Sequence, residues 1–153
     1  MNTQARHTDS AAPAAARAPR VDASGPTRPG LRLALVAAAG ALVANLAALV
    51  VGSAAGASLV TSAPEPINAI TVIAATLVPL GLGVTVATWL IGRRPALRRP
   101  LAWAGLAFAL ATLPMAFLAA KELATGVTLG LMHVTTGLAW LAIVHPRSRS
   151  TLA

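Results

Sequence analysis

The chain holds 153 residues, 56% of them hydrophobic and 10% charged, and its 12 Lys and Arg against 4 Asp and Glu give a formal charge of +8. Soluble domains carry about a quarter charged residues, so this composition excludes one and marks an integral membrane protein. Cysteine is absent, which excludes disulfides, thiolate chemistry and Cys-based zinc or iron–sulfur centres.

Residues 1–30 contain eight Ala, four Pro and four Arg and hardly a large apolar side chain beyond Met1 and Val21. Such a segment buries too little surface to fold alone, and it reads as a disordered cytoplasmic tail. Ala55-Gly56-Ala57 resembles a signal-peptide cleavage site, but the charged region before the apolar run is too long for a secretory signal.

Four apolar segments follow, at 31–51, 67–91, 101–120 and 123–144, and Arg32 is the only charge within any of them. At 1.5 Å per residue each reaches about 30 Å as a helix, the hydrocarbon thickness of a bilayer. None alternates polar and apolar residues, and lipid leaves no partner for an open sheet edge, so helices are required. The fold expected is an all-α, integral membrane four-helix bundle over 31–144, followed by a short cytoplasmic tail at 145–153.

The basic residues fix an expected orientation. Arg6, Arg17, Arg20, Arg28 and Arg32 precede the first span, Arg93, Arg94, Arg98 and Arg99 join the second to the third, and Arg147 and Arg149 follow the fourth. All eleven fall on one side, with only Lys121 on the other, so both termini are expected in the cytoplasm. Trp89, Trp103 and Trp140 fall near the cytoplasmic ends of their spans, where indoles favour the headgroup region.

In the first span Gly40, Ala44, Ala48 and Gly52 recur every fourth residue, a stripe for close helix packing within the chain or against a second copy. Asn45, about four residues or roughly 6 Å outward of that span's midpoint, needs a hydrogen-bond partner in lipid. In the second span Pro79 removes a helical bond to Ala75 and predicts a kink. Pro114 does the same in the third span at Leu110. The bend is read as static packing in preference to a hinge, since no charge adjoins either proline. The loop GRRPALRRP holds Arg93, Arg94, Arg98 and Arg99, which act first as a topology signal and second as candidate ligands for anionic lipid headgroups. Gly92 is expected to end the second helix.

His133, at the midpoint of the fourth span, is the only titratable residue deep inside a span. It shares a helical face with Gly126, Gly130 and Gly137, so it is expected to point into the bundle. One reading is an imidazole bridging helices by hydrogen bonds, with Asn45 as a candidate partner; Asn45 could equally bond a neighbouring backbone carbonyl. The other reading is a proton or substrate group. No second intramembrane His, Cys, Asp or Glu completes a metal or haem site, so no cofactor is expected. Paired carboxylates, a Ser-His-Asp set and a phosphate-cradling loop are all missing, which argues against an enzyme. The polar segments lack aromatic residues, which argues against nucleic-acid binding.

The stretch ATLVPLGLG around Pro79, the Arg/Pro loop after it, TLP at Pro114, LGLMHVTTG around His133, and Asn45 together resemble an actinobacterial family of small membrane proteins, the domain of unknown function 6069 family. Met132-His133 is the most specific element. The resemblance spans about Leu31 to Val144 and implies a four-helix fold in a bacterial plasma membrane, with no activity. The expected role is structural or accessory, acting through helix–helix contacts with itself or another membrane protein. The alternative is a small oligomeric transporter or channel subunit with His133 as a proton-responsive group.

Overall fold

A computed structural model describes residues 28–145, and it is helical over nearly all of that length. Helix α1 covers Arg28–Ala54 and α2 covers Ala69–Arg93. A 3₁₀ turn, Pro95–Leu97, leads into α3 at Arg98–Ala111; α4 follows at Leu113–Ala119 and α5 at Leu123–Val144. Four helical segments are long and apolar enough to cross a membrane, the third made of the turn, α3 and α4. The all-α four-helix membrane bundle is therefore the fold. The expected tails lie outside the described residues, apart from residues 28–30, which already belong to α1, and His145.

Local chemistry sets the helix ends. Asn68 caps α2: its side-chain oxygen accepts from the backbone N–H groups of Ile70 at 2.9 Å and Thr71 at 3.1 Å. Thr71 Oγ1 returns the favour to Asn68 N–H at 2.9 Å, completing a capping box. The helix thus starts two residues after the expected Ile67. At its other end it runs past Gly92 to Arg93, where the Arg94 N–H donates to Leu90 O at 2.8 Å. Two prolines behave differently. Pro79 lies inside a continuous α2, whereas the third span breaks at Thr112, two residues before Pro114. There Thr112 Oγ1 donates to Ala109 O at 2.8 Å, an added competitor for helical bonding that Pro79 lacks.

Helix α5 occupies the middle, packing extensively on α1 along one flank and on α3 and α4 along the other, while α2 rests on α1 and leans on α5. Small residues let these backbones approach. A Cβ on Gly52 would overlap the Thr128 side chain, and one on Gly126 would come within 2.7 Å of Phe117. Gly130 faces Phe117 and Leu113, and Gly137 faces Ala109 and Leu106. The glycine face of α5 is a packing face, as its spacing predicts. On α1 the buried face is Ala41, Asn45, Ala48 and Gly52, which corrects the expected stripe at two positions, because Gly40 and Ala44 are exposed. Steps of four residues turn about 400°, so a strict every-fourth stripe drifts round the helix, while alternating steps of four and three stay on one seam. Large apolar side chains such as Leu35, Val43, Val78, Leu82 and Val86 face outward, as a lipid-exposed perimeter requires.

Candidate functional site: an interhelical cavity

The centre of the site is Asn45, which is 2% exposed. Its Nδ2 donates to Thr76 Oγ1 on α2 at 2.9 Å and to Thr136 Oγ1 on α5 at 3.1 Å. One amide therefore ties three helices. Thr136 has a single hydroxyl proton, and it goes to Met132 O at 2.9 Å, so Thr136 Oγ1 can only accept from Asn45. That fixes the amide's orientation: nitrogen toward the threonines, oxygen away. Among the described residues, Asn45 Oδ1 is the buried side-chain polar atom without a hydrogen-bond partner.

The expected Asn45–His133 hydrogen bond is not formed, nor does Asn45 bond a backbone carbonyl. His133 Nδ1 lies 2.9 Å from Leu129 O, one turn back on its own helix. The carbonyl can only accept, so Nδ1 carries the proton in this contact, and in the neutral ring Nε2 keeps its lone pair. Among the described residues, His133 consequently makes no hydrogen bond between helices. The partners that Asn45 does use, Thr76 and Thr136, carry no distinguishing signal in sequence beyond being hydroxyls at membrane depth.

Asn45 and His133 instead meet on the wall of one cavity of about 630 Å³. It exists because α2 and α3 barely touch, leaving a cleft between them that α5 floors. Its middle is lined by Thr76, Pro79, Ala109, Met132, His133 and Thr136, and its outer mouth by Thr61, Glu65 and Pro66. Phe108 at 73% exposure, with Ala75 and Pro79 also exposed, forms a rim open to the side of the bundle. Trp140 closes the far end. Its ring lies against Gly83 of α2 and Gly105 of α3, and its Nε1–H donates to Leu101 O at 3.0 Å. This corrects its expected place among headgroup-facing indoles; Trp89 and Trp103 remain about half exposed.

The two ends of the bundle are finished differently. At the end bearing the arginines, Arg98 Nε donates to Val144 O at 3.1 Å, satisfying a carbonyl at the α5 C-terminus. The Arg93 guanidinium stacks 3.7 Å from the Trp89 ring centroid. Of the four candidate headgroup ligands, these two are therefore partly engaged within the chain. At the opposite end, the α1–α2 loop is stitched to the start of α5. Glu122 accepts hydrogen bonds from Ser58 N–H and from Thr125 Oγ1, the latter at 2.8 Å, and Thr125 Oγ1 accepts from Leu59 N–H at 3.0 Å. An isolated antiparallel bridge joins Thr61 to Ala120. These bonds hold the Glu122 carboxyl below its usual pKa, chiefly through Ser58 and then Thr125. The same loop supplies the cavity's outer mouth, so its fastening positions that mouth.

A four-helix membrane protein with a side-opening cavity is thus what the fold and site define. The family of unknown function DUF6069 matches residues 25–150, and the chain belongs to it. Neither the curated proteins nor the solved structures provide a match.

Proposed function

We propose that this chain is a non-enzymatic accessory protein of the bacterial plasma membrane that holds a small apolar solute inside its helix bundle. The observation that carries this reading is the 630 Å³ cavity, a size typical of small-molecule sites, apolar over most of its wall and reaching buried polar groups at membrane depth. The arginine-bearing end faces the cytoplasm under this reading, and Arg94 and Arg99 meet anionic headgroups. Further partners are a second copy or another membrane protein.

Trp140 offers the test. In a Trp89→Phe, Trp103→Phe protein, Trp140 is the remaining indole and forms the cavity's floor. An apolar solute carrying bromine, such as a bromoalkane added to the bilayer, quenches its fluorescence if the cavity admits it. Quenching no greater than in a variant with the cavity blocked by Ala75→Trp, itself read with an added Trp140→Phe control for the new indole, contradicts the reading.

A second reading, a transporter or channel subunit with His133 as a proton-responsive group, is favoured by the place of His133 on the cavity wall. It requires solute flux in proteoliposomes that responds to a pH gradient and loses that response in His133→Phe.

A further inference from the structure

The cavity's polar groups are few. Among the described residues Asn45 Oδ1 is buried without a hydrogen-bond partner, and Thr76 Oγ1, which accepts from Asn45, keeps its own proton unspent beside it. Asn45, Thr76 and His133 line the same space, so the groups still to be met there are the Asn45 acceptor and the Thr76 hydroxyl proton, which one hydroxyl or amide on an occupant can serve together. An unmet buried acceptor is destabilising, and a donor on an occupant relieves it. Among the described residues, Glu65, at the outer mouth, is the one Asp, Glu, Lys or Arg on the wall, and the middle of the cavity has none. A charged group drawn to that depth meets no counter-charge, so an uncharged occupant fits.

Length and access narrow the class. Within α2 the wall runs from Thr71 to Gly83, a rise of about 18 Å, or rather more than half the hydrocarbon thickness. One end is closed by Trp140, and the side opens between α2 and α3 at the level of Pro79 and Phe108. A single chain occupying one leaflet can slide in from the bilayer without crossing water.

Resting on the solute-binding reading, we propose that the cavity binds an uncharged single-chain amphiphile whose hydroxyl or amide N–H donates to Asn45 Oδ1. The hydrogen bond gives the site its selectivity, and the apolar wall gives most of its affinity. His133 Nε2 stands ready as a second acceptor for a molecule with two donors.

The experiment uses the full chain in bilayer nanodiscs with two photoreactive probes, a long-chain primary alcohol bearing a diazirine and its methyl ether. The ether keeps the shape and loses the donor. The expected result is labelling of the α2 and α5 segments around Val72 and Met132, with the alcohol about three- to tenfold more efficient than the ether, the worth of one net hydrogen bond. Asn45→Leu removes that preference. Since Asn45 also ties the bundle, Ala75→Trp at the exposed rim serves as a second variant, expected to suppress labelling by both probes while helicity is retained. Equal cavity labelling by alcohol and ether overturns the donor inference, with Oδ1 then served by water, and leaves the solute-binding reading standing. Absence of cavity labelling by either probe overturns both.

Discussion

Asn45 on α1 and Thr136 on α5, 91 residues apart, are joined by a hydrogen bond of 3.1 Å in which Asn45 is the donor. The same nitrogen reaches Thr76 on α2, so a single side chain fixes the rotation of three helices about one point. Its oxygen is thereby left buried without a hydrogen-bond partner among the described residues.

Asn45→Leu is expected to destabilise the bundle by about 1–4 kcal/mol, the sum of two interhelical bonds each worth roughly 0.6–2 kcal/mol in lipid. The shift appears in the midpoint of unfolding by sodium dodecyl sulfate against a mild detergent. An unchanged midpoint removes Asn45 from its role as a tie.

His133→Phe is expected to change that midpoint by no more than about 0.5 kcal/mol, because its Nδ1 bonds only its own helix. This separates the two intramembrane polar residues experimentally. A loss as large as that of Asn45→Leu shows that His133 bridges helices after all.

Gly105→Ala places a methyl group where the Trp140 indole sits. We expect displacement of the ring, loss of its bond to Leu101 O and a cost of about 1–3 kcal/mol, seen as reduced thermal stability and altered indole emission. Gly40→Ala, with nothing within 4 Å of the added carbon, is the control and should leave both unchanged or raise stability slightly. The opposite ranking contradicts the placement of α3 against α5.

Glu122 makes the loop at the end opposite the arginines sensitive to acid. Its carboxyl is held below the reference value of 4.5, first by Ser58 and then by Thr125. A depressed carboxyl contributes stability that is fully present above its unfolded pKa and is lost as pH falls through the folded value. Amide exchange at Ser58 and Leu59, corrected for intrinsic rates, should therefore accelerate only below about pH 4.5. In Glu122→Gln it should be faster at neutral pH and flat toward acid; an unaltered acid response in that variant assigns the effect to another group.

The spans were legible because twenty or more apolar residues have one stable arrangement in lipid. Gly126, Gly130 and Gly137 were legible for a related reason: their spacing keeps them on one face, and that face packs. The Gly40 stripe misled because it follows every fourth residue, while the contact seam alternates fours and threes. Asn45 announced that it needed partners, but Thr76 and Thr136 did not announce themselves, since threonine at membrane depth usually bonds its own helix, as Thr135 does with Leu131 O. Trp140 matched the headgroup pattern by position and escaped it through Gly83 on α2 and Gly105 on α3, both distant in sequence. The cavity had no signature at all. It arises from the distance between α2 and α3, which no local pattern encodes.

The central claim, an occupied cavity beside a buried residue, can be tested at Met132. The chain has three methionines, of which Met132 is 7% exposed yet lines the cavity, while Met115 is 64% exposed on the perimeter. With methionine methyl groups labelled with ¹³C and the protein otherwise deuterated, in bilayers of deuterated lipid holding a protonated long-chain alcohol, magnetisation passes from the alcohol's chain protons to any methyl group they touch. The account predicts transfer to Met132 at a rate approaching that of Met115. A Met132 methyl that receives none, while Met115 receives it fully, would contradict the account and leave a closed, dry bundle in its place.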